Sequence, residues 1–145
     1  GTWLVADIYN GDYIDDVGRK EGWPAEYLRK NLETMHVQRE AFRKAVQAGV
    51  PIAYGTDSAV YPHGDNAKQL PYMVRWGMTP MGALRSATLD AARAIGWADR
   101  IGSIAPGKYA DLVAVAGEGL GDLSAFGDVR FVMKGGEVYK EGPGR

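Results

Sequence analysis

One long amphipathic helix set between two short apolar runs constrains this chain more than any other feature. Between Pro24 and Gly49, residues Leu28, Leu32, Met35, Phe42 and Val46 recur at spacings of four, three, seven and four. That pattern draws one apolar stripe along about six or seven helical turns. Pro24 sits where a first helical residue is tolerated, and Gly49 where the residue just past a helix end belongs. Upstream, Thr2-Trp3-Leu4-Val5-Ala6-Asp7-Ile8-Tyr9 is β-prone and mostly apolar, which predicts a strand buried on both faces that ends at Asn10-Gly11. A polar loop is expected from there to Pro24. Downstream, Val50-Pro51-Ile52-Ala53-Tyr54-Gly55 comes directly after the helix, as a buried parallel strand does, with Pro51 at its start where a missing N–H costs least. Strand, helix, strand in this order favours right-handed βαβ construction and a parallel sheet.

The rest of the chain is punctuated by glycine and proline at its joints. Thr56-Asp57-Ser58 opens a loop that runs through Tyr61-Pro62-His63-Gly64-Asp65 to a helix expected over about Ala67 to Trp76 and ended by Gly77. Thr79-Pro80 is an N-cap and first-position pair that opens another helix, with Thr88 or Asp90 starting its continuation toward Ala94 and Gly96 as the stop. From Gly102 the texture changes. Lys108 to Val115 reads as a strand, and Val129 to Lys134 with Glu137 to Tyr139 flank a Gly135-Gly136 hairpin turn. The division expected is therefore residues 1–101 as an α/β unit and 102–145 as a smaller β-rich subdomain.

Composition narrows the function classes. Among 145 residues, 17 basic side chains balance 18 acidic ones, which leaves no electrostatic footprint for nucleic acid. No charge-free apolar run approaches the roughly 18 residues that span a bilayer, so a soluble chain without a membrane partner is expected. The absence of cysteine removes disulfides, thiolate metal sites and a cysteine nucleophile, and suits cytoplasm and periplasm alike. Because domains seldom begin inside a buried strand, the chain reads as the latter part of something longer.

Asp57 is the sharpest chemical signal. It comes after an apolar strand and a small-residue turn, and in parallel α/β architectures the functional face is where strand carboxyl ends open into loops. A carboxylate there can ligate a divalent metal and accept a proton from a water attacking a carbonyl. The competing reading is an aspartate that caps its own turn. His63 lies in the same loop, as a metal ligand, a substrate contact or a pH-sensitive residue. Tyr61 can reach a ligand or simply pack. With two histidines in the chain and about three protein ligands needed by a catalytic zinc, a self-contained metal site is not expected. His36 reads as an ordinary helix-surface histidine. Gly117-Glu118-Gly119-Leu120-Gly121 lacks the lysine of a phosphate loop, and Ser58 is not in a Gly-x-Ser-x-Gly elbow.

The segments Gly49 to Ser58 and Tyr61 to Asn66, then Met78 to Thr88, Ile95-Gly96, Ile101 to Val113 and Phe131 to Gly136, taken in order, resemble the metal-dependent amidohydrolase superfamily. The branch they most resemble holds the Xaa-Pro dipeptidases and imidazolonepropionase-like enzymes. The resemblance implies the C-terminal part of a (β/α)8 TIM barrel, its last two strand-helix units, with strands of a small β-sandwich beside it. Asp57 matches the aspartate after the eighth barrel strand, which in the family binds the more buried metal and shuttles a proton from the bridging hydroxide to the leaving amine. His63 matches a loop histidine facing the active-site mouth. The implied cofactor is a divalent metal, zinc in the first place, binuclear in the complete enzyme and absent or weakly bound in this chain alone. Substrates implied are small peptides or N-acyl amino acids.

The family's His-x-His, its carboxylated lysine and two further histidine ligands match nothing here. The expectation is thus a partial, hydrolytically inactive chain whose partner is an upstream portion of the same enzyme or a companion chain. Exposed strand edges also leave a homo-oligomer open. The alternative is a noncatalytic assembly module that pairs with a second chain and contributes contacts only.

Overall fold

The apolar run at the start of the chain contracts to three strand residues in the computed structural model, which describes residues 1–142. Strand β1 is Leu4–Ala6 and pairs in parallel with β2, Ile52–Tyr54, in the register Leu4 to Ile52, Val5 to Ala53 and Ala6 to Tyr54. The Gly55 amide continues the ladder by donating to Ala6 O at 2.9 Å. Burial on both faces of β1 is not what forms. Ala6 is buried, but Val5 is 62% exposed, because nothing described in this chain packs on the second face of the two-stranded sheet.

The stretch expected to be a polar loop is a helix, α1, Asn10–Glu21, so Asn10-Gly11 opens a helix and does not close a strand. Its apolar residues, Tyr13, Ile14 and Val17, are few and stand beside glycines that look like loop residues. Two other things sustain it. Asp15–Arg19 and Asp16–Lys20 pair across single turns at 2.8 Å. Gly11 and Gly18 are buried where α1 leans on α2, and a Cβ on Gly11 would lie 2.7 Å from Met35 Cγ.

Helix α2, Ala25–Gln47, starts just after Pro24. It ends in a Schellman motif: Val50 N donates to Ala45 O at 3.0 Å and Gly49 sits at φ +69°. Its stripe divides. Phe42 and Val46 belong to the core beneath β1 and β2, whereas Met35 and Leu28 meet α1 and Leu32 stays 43% exposed. The buried Arg39 marks the crossover, its guanidinium donating to Ile8 O at 3.1 and 3.3 Å and pairing with Asp12 at 2.8 Å.

After β2, the single helix expected over 67–76 is divided into a 3-10 helix, His63–Lys68, and α3, Gln69–Arg75. Helix α4, Pro80–Ser86, is capped by Thr79 Oγ1, which accepts from Gly82 N at 3.0 Å, and α5 is Leu89–Ala94. Ala6, Ile8, Phe42, Ile52, Leu70 and Met73 form one core with Ala83 and Leu123. The C-terminal stretch forms an antiparallel sheet in the order β3, Leu112–Val115, β4, Val129–Lys134, and β5, Glu137–Glu141. Gly135 and Gly136 turn the hairpin at φ +58° and +86°, as a two-residue type I′ turn demands. Leu123, from a 3-10 helix over Leu123–Gly127 between β3 and β4, carries this β-rich stretch into the main core. The last three residues of the 102–145 division lie outside the described residues. Among the described residues no helix is long and apolar enough to cross a membrane.

Gly102 and Gly107 form a natural comparison, since both hold positive φ, at +87° and +86°. A Cβ on Gly102 would meet Thr88 O at 2.9 Å and Leu89 Cα at 3.0 Å, whereas nothing lies within 4 Å at Gly107. Thermal or urea unfolding is expected to show Gly107→Ala losing about 1–2 kcal/mol for the left-handed backbone alone. Gly102→Ala is expected to lose a further ~1–3 kcal/mol from overpacking against rigid backbone.

Candidate functional site at the strand mouth

Parallel pairing in register brings the carboxyl ends of β1 and β2 to one edge of the sheet, so the segments leaving Ala6 and Tyr54 share a mouth. Asp7 leaves the first strand and Gly55-Thr56-Asp57 the second. The two aspartates feel each other. Burial pushes the Asp7 carboxyl above its ordinary value, the charge of Asp57 pushes it further, and bonds from its own backbone and from Asn10 act the other way. Asp7 is held in place. Asn10 Nδ2 donates to its Oδ2 at 2.8 Å, and Gln38 Nε2 donates to its carbonyl at 2.6 Å.

Asp57 stands exposed at φ +49°, in the left-handed region that aspartate tolerates better than most residues. Its backbone carbonyl accepts from Val60 N at 3.2 Å. Among the described residues its carboxylate accepts no hydrogen bond and joins no ion pair, so the turn-capping alternative is not what the side chain does. Ser58, the neighbour that would share such a cap, instead donates from Oγ to Asn66 Oδ1 at 2.5 Å. Ala59, at φ +110°, is a second departure from ordinary backbone in the same turn. Strain of this kind persists only where surrounding contacts over-determine it.

Tyr61 is 2% exposed. Its ring packs edge-on against Tyr9, 5.0 Å between centroids, and near Tyr13 at 5.9 Å, while its hydroxyl is buried without a hydrogen-bond partner among the described residues. Burial raises its phenol above the usual tyrosine range. Tyr54, buried enough to stay a neutral donor, gives its hydroxyl proton to Asn66 O. His63 is exposed at the start of the 3-10 helix, on the arc between Asp57 and Asn66, and His36 is exposed on α2. The structure thus puts Asp57, Tyr61 and His63 on one loop over one strand end and leaves His36 apart from them.

Two residues of the mouth escape a reading of the sequence. Asp7 carries the same signal as Asp57, a carboxylate directly after an apolar run, but a run read as extending to Tyr9 hides it inside a strand. Gln69 is fully buried beneath the mouth, with Oε1 accepting from Ile8 N at 2.6 Å and Tyr9 N at 3.1 Å. A glutamine at a helix start offers no pattern that announces such a role.

A groove of about 650 Å³ lies beside the mouth between α1 and α2 and is lined by Ile14, Trp23, Tyr27 and Met35, with Lys30 as its charged group. That chemistry is not acid–base chemistry. Among the described residues no three His, Cys, Asp or Glu side chains come close enough to hold a metal ion together. The donor set at the mouth, one unspent carboxylate, fits a single ligand of a divalent cation and not a complete coordination shell.

The Amidohydrolase family model matches residues 2–140. Ochratoxinase of Aspergillus niger is 40% identical over 130 residues, covering 86% of this chain and 25% of its own length. Imidazolonepropionase of Geobacillus kaustophilus is 43% identical over 76 residues, 49% of this chain and 18% of its own. The crystal structure of a Xaa-Pro dipeptidase with methionine bound in its active site superposes with a TM-score of 0.87 at 38% identity, over 97% of this chain and 35% of that one. The chain therefore spans about a quarter of the length of the ochratoxinase it matches and about a third of the dipeptidase.

The coupling between the two aspartates can be measured by carboxyl-carbon NMR titration. Asp57→Asn removes the second cause of the upward shift at Asp7, so the Asp7 midpoint is expected to fall. It should stop short of the ordinary 3.8, because burial, the larger cause, stays. In the unsubstituted protein the folded state holds the Asp7 proton more tightly than the unfolded chain does. Its stabilising effect is therefore complete below the ordinary aspartate range and lost as pH rises through the folded pKa.

Proposed function

The chain belongs to the amidohydrolase family, and from that premise we propose that it forms the C-terminal portion of a metal-dependent amidohydrolase that cleaves amide bonds of dipeptides or N-acyl amino acids. The observation that carries this reading is the Asp57 carboxylate, unspent on any neighbour among the described residues, at the mouth shared by two parallel strands. In this reading β1 and β2 are the last two strands of a barrel. The 62% exposure of Val5 supports it, since such a side chain would be covered only by strands that this chain does not supply. So do the outer edges of β1 and β2, unpaired among the described residues.

Asp57 would be a metal ligand, with the remaining ligands coming from an upstream portion of the enzyme or a companion chain. A divalent cation, zinc in the first place, supplies Lewis acidity toward the amide carbonyl and lowers the pKa of a bound water to about 7. Asp57 takes a proton from the attacking water as the new C–O bond forms. It returns that proton to the amine nitrogen as the C–N bond breaks. His63, exposed on the arc above, meets the substrate at the rim. Contrary to expectation, Tyr61 does not reach the substrate: ring and hydroxyl are both buried, and it packs against Tyr9 and Tyr13 beneath the loop. A structural relative named as a Xaa-Pro dipeptidase supports the peptide substrate.

The second reading, a noncatalytic module that only completes an assembly, is favoured by the same unpaired strand edges. Asp57→Asn separates the two. In the full-length enzyme, or in a complex reconstituted from both portions, the substitution is expected to lower kcat by roughly 10²–10⁴-fold with assembly intact by size-exclusion chromatography. Unchanged turnover sinks the catalytic reading.

A further inference from the structure

The side-chain amide of Gln69 is completely buried and every one of its hydrogen-bonding directions is spent on backbone. Oε1 accepts from Ile8 N at 2.6 Å and from Tyr9 N at 3.1 Å, while Nε2 donates to Ala6 O at 2.7 Å and to Gly55 O. Three of these partners surround Asp7 at the end of β1, and the fourth lies two residues before Asp57 at the end of β2. Only a neutral primary amide offers two donors and two acceptors in this arrangement. Ionised glutamate has no donor, and asparagine is a methylene shorter.

The chain between Asp57 and Gln69 is tied down by the same region. Tyr54 donates to Asn66 O and Ser58 to Asn66 Oδ1, so the arc bearing Tyr61 and His63 is anchored at Asn66 and again at Gln69. Two residues of that arc, Asp57 and Ala59, hold positive φ. Two strands paired over three residues leave their ends little else to keep them aligned.

We propose that Gln69 is the positioning residue of the strand mouth: its amide locks the Asp7 end of β1 to the Asp57 end of β2 and so sets where the Asp57 carboxylate stands. Gln69 acts through backbone and touches no substrate. The assignment rests on the role of Asp57 proposed above and adds a requirement that Asp57 alone does not carry.

The test uses the full-length enzyme. Gln69→Met keeps the bulk and removes the amide. It is expected to lower zinc affinity in a chelator competition and kcat each by about 10–100-fold, as loss of outer-shell support does, with KM little changed. In the metal-free protein, hydrogen exchange at Ile8 and Tyr9 should accelerate, because their amides lose their acceptor. Gln69→Glu supplies a conditional rescue. Facing two carbonyls in a buried site, the new carboxyl stays protonated to higher pH than usual and can then donate one bond. Its kcat relative to the unsubstituted enzyme is therefore expected to be highest in acid and to fall as pH rises.

Met78→Ala, a core truncation beside Trp3 and Pro51 at the opposite, amino ends of β1 and β2, controls for simple destabilisation; it should lower Tm and leave zinc affinity and kcat in place. Wild-type zinc affinity and kcat in Gln69→Met would overturn the proposal, as would equal losses in Met78→Ala at a matched drop in Tm. Should Gln69→Met not fold, a pH-independent activity ratio for Gln69→Glu overturns it. If Asp57→Asn retains full turnover while Gln69→Met still speeds exchange at Ile8 and Tyr9, the clamp stands and the role given to Asp57 fails.

Discussion

Two parallel strands joined across three residue pairs have little in their ladder to keep their ends aligned, and the amide of Gln69 bonds to both ends. Buried backbone groups at the ends of β1 and β2 have lost water and have no further strand to bond. Leaving them unpaired would cost about 1–3 kcal/mol each. A single side chain satisfies four of them and in doing so makes the two strand ends one body. Asp7, Asp57, Tyr61 and His63 lie on the two segments that leave this body.

A second buried group reinforces the first from the helix side. The Arg39 guanidinium donates to Ile8 O, pairs with Asp12 and lies over the rings of Tyr72 and Trp76, at 5.4 and 5.8 Å. The Tyr72 hydroxyl donates a hydrogen bond to Asp12 Oδ2 at 2.5 Å, and burial together with that bond pushes its phenol up to about 12. Thus Ile8 is gripped by N–H through Gln69 of α3 and by C=O through Arg39 of α2. The residue next to Asp7 is fixed from two elements at once, and α1, through Asp12, shares in the arrangement.

Much of the fold is legible along the chain. The α2 helix, the Gly49 stop, the Thr79-Pro80 start and the Gly135-Gly136 turn are local signals, and each forms as its pattern predicts, because the backbone preferences behind it are settled within a few residues of chain. Asp57 is legible for a related reason: a carboxylate after an apolar strand occupies a position defined by strand direction. Helix α1 is not, since glycines at 11 and 18 look like loop residues until Met35 and Leu28 are packed against them. Asp7 hides in an overlong strand, and Gln69 has no pattern at all.

The alternation of elements, the family to which they belong and the type of residue at the end of β2 are written in the order of amino acids. Those features depend on periodicity, capping and backbone freedom, which neighbours along the chain settle between them. It takes the packed molecule to establish that Asp7 and Asp57 share a mouth, that the Asp57 carboxylate has no partner among the described residues, and that Gln69, a dozen residues beyond Asp57 and about sixty from Ile8, bonds to both strands. Such contacts depend on which buried donors and acceptors are left over once the strands and helices have packed, and that remainder exists only in three dimensions.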